Sequence, residues 1–230
     1  MTIGGITLLA PLKVFVDFDG TITTQDTLEV LMQSLCEPAY RELEDKWVAG
    51  EMGSKEILPL QLPLVAGGWP AMLRELDGFA VDPTFKGFAV WLRSLGIPLY
   101  VVSDGFDFII KHILGREGLL EGGLIAGIKT NQIDLHPDGS MTIQFPFSRA
   151  DEAKPCRSGT CKCLAVESEK PVKSVVVGDG LSDRCWAGFA DILFAKGRLA
   201  DYCQRENLSF RNFQNFADVK SELISLEIID

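Results

Sequence analysis

The sequence predicts an α/β fold: a parallel sheet flanked by helices, with a small helical cap inserted after the first strand. Three observations predict it. Short apolar runs alternate with segments of helical periodicity, the pattern of a sheet covered on both faces. Several of those runs stop abruptly in aspartate, serine or glycine, as a buried strand does where it emerges from the core. A stretch of roughly 55 residues after the first run is rich in helix formers and contains no convincing core strand.

The first strand is read at residues 12–18, Leu-Lys-Val-Phe-Val-Asp-Phe. Residues 24–80 follow, with helical stretches such as Leu28-Glu29-Val30-Leu31-Met32 and Tyr40-Arg41-Glu42-Leu43-Glu44. Pro38, Gly50, Gly53, Pro59, Pro63 and Gly67-Gly68 divide that region into short pieces. Its apolar residues Leu58, Leu60, Leu62, Leu64, Val65 and Trp69 read mainly as its own core, with a few lining an entrance for an uncharged or thioether tail. A strand at 97–102 leads to a helix at 106–114. Two alternating segments within 130–145 flank His136-Pro137-Asp138-Gly139, a turn signal, and predict a β-hairpin. Strands at 174–177 and 192–194 precede helices at 181–189 and 199–207. The predicted organisation is therefore a core of residues 1–23 and 81–230 with a cap of residues 24–80.

Composition narrows the class of protein. The chain has 230 residues, 47% of them hydrophobic, enough for a large core. A formal net charge of -10 disfavours nucleic acid and anionic membranes as partners. No apolar run reaches the roughly 18 residues of a membrane span. The first residues lack the basic start of a signal peptide, so a cytoplasmic location is expected. The six cysteines form no disulfide-framework spacing, which predicts reduced thiols. Cys156, Cys161 and Cys163 are clustered, but C-x4-C-x-C is not a usual zinc spacing. Reduced structural thiols are the expectation there, with a metal site or redox pair as alternatives.

The strand ends carry the chemistry. Asp17 and Asp19 stand one residue apart at the end of the first strand. Two carboxylates about 4 Å apart at an effective dielectric near 20 repel by about 4 kcal/mol. A cation between them, or a proton on one, relieves that cost. The second strand ends in Ser103-Asp104-Gly105 and the third in Gly178-Asp179-Gly180-Leu181-Ser182-Asp183. Thr160-Cys161-Lys162 opens a helix-like segment between them. Ligands of open α/β sheets bind beyond the carboxyl ends of the strands, so these groups converge if the strands are neighbours. The set suits phosphoryl transfer. Asp17 and Asp179 would hold Mg²⁺, which prefers oxygen ligands, while Asp19 would move protons. Ser103, Lys162 and the backbone N–H groups of the following helix start would hold the phosphoryl oxygens. His112 and His136 lie outside every motif, which argues against histidine catalysis.

These four ordered motifs, Asp17-Phe18-Asp19-Gly20-Thr21, Ser103, Lys162 and Gly178 to Asp183, resemble those of the haloacid dehalogenase superfamily of aspartate-nucleophile phosphatases. The resemblance implies a Rossmann-like core and a phosphoaspartyl intermediate on Asp17, with Asp19 as acid and base. It also implies Mg²⁺ held by Asp17, the Asp19 backbone carbonyl and Asp179, with Asp183 in support. A cap between the first two motifs is similar to the subgroup containing phosphoserine phosphatase. Within it, Ser103 to Phe108, the cysteine-rich lead into Lys162, and Leu193-Phe194-Ala195-Lys196 with Leu199 to Leu208 look like the methionine-salvage phosphatases acting on 2-hydroxy-3-keto-5-methylthiopentenyl phosphate.

The implied partner is a small-molecule phosphate monoester, with neither nucleic acid nor membrane, bound by a monomer or homodimer. Its contacts are expected from Asp26, Ser103, Asp104, Gly105 and Lys162. Asp26 occupies the position of the amine-binding acid of phosphoserine phosphatase, one methylene shorter than the usual Glu. Residues 57–62 lack the arginine expected there for a serine carboxylate. Asp104 stands where the methionine-salvage enzymes often have glycine, and a helix-capping role is its alternative reading. Alternative functions are a phosphoserine or phosphocholine/phosphoethanolamine phosphatase, a phosphomutase or phosphotransferase, and a non-catalytic binding protein on the same fold.

Overall fold

The computed structural model describes residues 2–3, 6–7, 11–36, 38–150, 156–170 and 172–226. Two short strands, β1 (Thr2–Ile3) and β2 (Ile6–Thr7), pair antiparallel apart from the main sheet. The chain then enters β3 (Leu12–Val16) and passes through helices α1 (Thr27–Leu35), α2 (Ala39–Val48), α3 (Ser54–Gln61), α4 (Gly68–Glu75) and α5 (Phe85–Ser94). Strand β4 (Leu99–Phe106), helix α6 (Asp107–Arg116) and the hairpin of β5 (Gly127–Leu135) and β6 (Met141–Gln144) follow. The last part comprises α7 (Lys162–Glu167), β7 (Lys173–Gly178), α8 (Arg184–Ala187), β8 (Ile192–Ala195), α9 (Gly197–Arg205), β9 (Arg211–Asn212) and α10 (Phe216–Ser225).

The main sheet runs β6-β5-β4-β3-β7-β8-β9, parallel except for β6. Strand β3 lies in the middle. From it the chain builds β4 and β5 on one side, then crosses to β7 on the other. This reversal is the switch point where α/β sheets leave a crevice. Register brings the ends together: Val16 pairs with Val101 of β4 and Val177 of β7.

Both faces are buried, which explains the continuous apolar runs. Val14, Val16, Val175 and Val177 point into the larger core, under α1, α5, α6 and α10. Phe15, Val176 and Leu193 point to the opposite core, with Val166 of α7, Trp186 of α8 and Leu199 of α9. Alternation by two along one strand thus feeds two layers. Each fully buried side chain of this size contributes about 1.5–3 kcal/mol.

Helices α1 to α4 fill the segment between Thr23 and Val81, which pair as an antiparallel bridge. The chain leaves and re-enters the sheet region at that point, with Thr24 N–H donating to Ala80 O at 3.0 Å. The helices also lean on the hairpin: Trp69 Nε1 donates to His136 O at 2.9 Å.

Three predicted elements differ. The first strand stops at Val16, and Phe18–Ile22 winds into a wide π-type turn. Gly20, with φ +72°, supplies the left-handed step it needs. Strand β4 continues through Ser103-Asp104-Gly105 to Phe106, with a register shift after Val102. The helix expected at 181–189 shrinks to the four residues of α8. Asp183 captures the N–H groups of Asp179 and Gly180 at 2.9 and 2.8 Å, holding that segment as a turn.

Candidate active site

Asp17 directly follows β3 at the centre of the sheet. Its N–H donates to Val177 O at 2.9 Å, extending the ladder by one bond. The residue is only 3% exposed. Lys162, the first residue of α7, reaches it from the side: Nζ lies 2.6 Å from Asp17 Oδ1, 2.7 Å from Asp183 Oδ1 and 2.9 Å from Ser182 Oγ. An ammonium has three protons, and these acceptors take all of them. Lys162 therefore stands as the counter-ion of Asp17 and Asp183. It is not among the residues lining the adjacent cleft, so a contact to a phosphoryl oxygen would require it to exchange a partner.

Asp19 sits on the turn after β3. Its Oδ1 accepts from the Thr27 N–H at 3.0 Å and from the Thr27 hydroxyl. Its Oδ2 accepts from Ser103 Oγ at 3.3 Å. Ser103 in turn accepts the Gly105 N–H at 2.9 Å. Thr21 donates to Asp179 Oδ1 at 2.6 Å, which fixes that carboxylate against the turn. Asp17 and Asp19 are thus brought together by the winding of residues 18–22, and side-chain alternation along a strand plays no part.

Electrostatics follow from this crowding. Burial, then Asp183, pushes the Asp17 carboxyl well above its ordinary value, with Lys162 pulling back. Burial raises Asp19 as well, opposed by its bonds from Thr27. Burial and Asp183 push Asp179 up to about 6. Burial alone would lower Lys162, but Asp17 and Asp183 outweigh it and hold the ammonium well above its usual value.

The site fits a hard divalent cation. Carboxylate oxygens of Asp17, Asp179 and Asp183 lie within 4.8 Å of one another. No donor among the described residues reaches Asp17 Oδ2 or Asp179 Oδ2, while both oxygens of Asp183 are engaged. Asp17 and Asp179 thus have oxygen to offer, whereas Asp183 holds Lys162 and the Asp179 loop. All-oxygen donors suit Mg²⁺.

A cleft of about 380 Å³ opens above these groups, lined by Asp17, Asp19, Ser103, Asp104, Gly105 and Asp179 on the sheet side. Opposite lie Leu28, Met32, Tyr40, Trp47, Ile57 and Leu58 from α1, α2 and α3, with Glu29, Glu44 and Gln61. Arg198 of α9 also lines it. Of the apolar 58–69 residues read mainly as cap core with a few at an entrance, Leu62 and Val65 are buried, Leu58 is buried and lines the cleft, and Leu60 faces solvent.

Asp26 and Asp104 have structural partners as well as cleft positions. Asp26 caps α1, accepting the Glu29 N–H at 2.8 Å, and its carboxylate opens onto the cleft. The surrounding protein, then Asp19, pushes it up to about 8. Asp104 does not cap α6, whose N-cap is Phe106 with no side-chain bond. It accepts from Thr160 N–H at 2.8 Å, Asn131 Nδ2 at 3.1 Å and the Ser54 hydroxyl. That ties α3 and the loop before α7 to the end of β4. The reason is its place in β4, two residues before the N-cap position of α6.

Thr21 and Ser182 lie inside the sequence motifs without an assigned role, and Thr27 and Arg198 lie outside them. Threonine and serine carry no chemical signature of their own, and each joins the site only through the turn or helix start that presents it.

A model of the haloacid dehalogenase-like hydrolases matches residues 14–188. The chain belongs to this family. Among relatives of the hydrolase, Pdp3-interacting factor 1 of Schizosaccharomyces pombe is 33% identical over 227 residues, covering 94% of this chain and 96% of that protein. A 2-hydroxy-3-keto-5-methylthiopentenyl-1-phosphate phosphatase of Geobacillus thermodenitrificans is 30% identical over 227 residues, covering 95% and 98%. In fold the hydrolase is similar to a phosphoserine phosphatase solved as an analogue of its phosphoaspartyl intermediate. That match has a TM-score of 0.65, 14% identity, and covers 93% of this chain and 98% of that one. Family and relatives make the hydrolase a phosphatase. None of its described helices is long and apolar enough to cross a membrane.

Proposed function

We propose that the protein is a Mg²⁺-dependent phosphatase that cleaves a small-molecule phosphate monoester through a phosphoaspartyl intermediate on Asp17. The observation that carries this reading is the gathering of Asp17, Asp19 and Asp179 at the floor of the cleft, with Lys162 bound to Asp17 and Asp183 beneath them. A carboxylate oxygen of Asp17 attacks phosphorus, the bond from phosphorus to the substrate oxygen breaks, and Asp19 gives its proton to that leaving oxygen. Burial supports Asp19 in this role, because a raised carboxyl keeps a proton to higher pH. Asp19 then takes a proton from the water that attacks phosphorus. Inorganic phosphate leaves and Asp17 is regenerated. The Ser103 hydroxyl, at the cleft floor beside Asp19, is placed to turn toward a phosphoryl oxygen. Mg²⁺, held by Asp17, Asp179 and the Asp19 carbonyl with Asp183 in support, would neutralise charge on carboxylates and phosphate.

Residues 24–80 act as a cap over a core of 1–23 and 81–230 in this reading. Their support is the shared crossing point at Thr23 and Val81 and the cleft wall supplied by α1, α2 and α3. That wall carries an apolar patch, Leu28, Met32, Trp47, Ile57 and Leu58, beside Glu29, Glu44 and Gln61, and the patch suits an uncharged tail about the size of a methylthio-ketose 1-phosphate, the substrate class in the name of the Geobacillus relative.

Hydrolysis of an aryl phosphate with and without Mg²⁺ tests the reaction. Asp17→Asn should lower kcat by about 10⁴-fold or more with the fold intact; an active Asp17→Asn enzyme would refute the mechanism. A panel of phosphoserine, phosphocholine, phosphoethanolamine and ketose 1-phosphates tests the substrate, with the highest kcat/KM expected for an apolar-tailed ketose 1-phosphate. Preference for polyhydroxylated sugar phosphates would remove the apolar-tail reading.

A further inference from the structure

Cysteines from three separate segments meet behind Lys162. Cys156 precedes the irregular loop that leads to α7, Cys161 and Cys163 flank Lys162 at its start, and Cys185 lies in α8. The sulfurs of Cys156, Cys163 and Cys185 all lie within 4.8 Å of one another, and Cys161 Sγ is 3.1 Å from Cys163 Sγ. Cys156 is in side-chain contact with each of the other three. We propose that Cys156, Cys161, Cys163 and Cys185 form a structural zinc site.

The geometry favours an ion over apolar packing. A tetrahedral zinc with sulfur at about 2.3 Å sets its ligands about 3.8 Å apart, inside the 4.8 Å span of Cys156, Cys163 and Cys185, while the Cys161 and Cys163 sulfurs, 3.1 Å apart, would open slightly to take the ion. Cysteines that merely fill a core have no reason to bring three sulfurs from separate segments, Cys156, Cys163 and Cys185, within 4.8 Å of one another, with a fourth, Cys161, against Cys163. Donors also surround the sulfurs. The Leu164 N–H points at Cys161 Sγ at 3.4 Å, and Arg149 Nη2 lies 3.6 Å from Cys163 Sγ. Such donors orient thiolate ligands and offset their charge. Cys161 and Cys163 are buried, Cys156 and Cys185 are half-buried, and four sulfurs would fill a tetrahedral zinc with no position left for a substrate. Soft sulfur donors in a closed set select zinc, whereas the oxygen set around Asp17 selects a hard cation. The ligand spacing, C-x4-C-x-C with the last cysteine 22 residues further on, hides the site in the sequence.

The ion would act as a cross-link. Lys162 sits between two ligands, and Asp183 lies two residues before another. Zinc would therefore join the loop before α7 to α8 and fix the Lys162–Asp183 pair, 2.7 Å apart. This site is independent of the phosphatase reading and stands or falls on its own test.

Elemental analysis of protein purified without chelator should find about one zinc per chain. Cys156→Ser and Cys185→Ser should each lower that to less than about half, while Cys36→Ser, Cys203→Ser and Asp179→Asn should retain it. If the ligand variants fail to fold, the unaltered protein still decides. A mercurial thiol reagent should release zinc to a colorimetric chelator in step with thiol modification. Cobalt(II) exchanged into the site should show a thiolate-to-cobalt charge-transfer band and tetrahedral d–d bands. Folded protein with no zinc and six freely titrating thiols would overturn the proposal. So would a disulfide within the cluster or iron–sulfur absorption.

Discussion

Lys162 faces Asp17 and Asp183 in a site where both carboxylates are buried. Removing one partner of such a cluster leaves charge uncompensated and typically costs about 3–5 kcal/mol. Lys162→Met is therefore expected to lower the unfolding midpoint sharply. Saturating Mg²⁺ should restore part of the loss, because a cation between Asp17 and Asp179 takes over some of the neutralisation. Equal losses in thermal melts with and without Mg²⁺ would contradict that account. Asp26 gives a second residue-scale test. Partial desolvation at the cleft wall, then Asp19, raises its carboxyl toward about 8 although the side chain keeps contact with solvent, so the folded state holds a proton to higher pH than the unfolded state. Stability from that proton is present below about pH 4 and is lost as pH rises through about 8. Asn also caps helices, so Asp26→Asn keeps the acceptor for the Glu29 N–H and removes the titration. The Tm advantage of Asp26→Asn over the parent should be larger at pH 8 than at pH 5. Because the carboxylate opens onto the cleft, solvent screens the effect, and the direction is the prediction.

The turn after β3 decides where Asp19 points relative to Asp17, the two aspartates proposed to do the chemistry. Gly20 has φ +72°, and a Cβ there would lie 2.5 Å from Asp179 Oδ2. Gly20→Ala is expected to cost about 1–2 kcal/mol for the left-handed conformation. At 25 °C that should leave the protein folded, yet kcat should fall at least about tenfold as Asp179 is displaced. Steady-state kinetics beside a thermal melt separates the two effects; unchanged kcat would show that Asp179 tolerates the shift. The same turn shows what the sequence could and could not convey. The strands around it were legible because burial on both faces makes them continuous apolar runs ending in Asp, Ser or Gly. The winding of residues 18–22 was not, because it depends on the Thr23 and Gln25 contacts of the Gly20 N–H. Strand β9, Arg211–Asn212, has no apolar run and exists through its pairing with β8. Asp104 was misread as a possible cap because its partners Ser54, Asn131 and Thr160 lie 27 to 56 residues away.

The whole molecule is acidic, with a net charge of -10, and its most crowded acidic point is the floor of the cleft. Two electrostatic effects therefore overlap in any salt titration. Screening by monovalent salt weakens surface repulsion generally and without saturation at a site. A cation bound at Asp17 and Asp179 acts by mass action on the folded state alone. At a hundred times its dissociation constant it stabilises by about 2.7 kcal/mol, or roughly 5–10 °C in Tm for a chain of this size. Held at constant ionic strength with NaCl, a Mg²⁺ titration should raise Tm along a saturating curve. Asp179→Asn should abolish the saturating part, since its Oδ2 is one of the oxygens left open toward the cleft. Loss of the Mg²⁺ increment in Asp179→Asn, with the NaCl response kept, would assign the metal to this carboxylate floor. An increment that survives in Asp179→Asn would move the bound cation elsewhere on the acidic surface and remove the charge neutralisation on which the proposed attack by Asp17 depends.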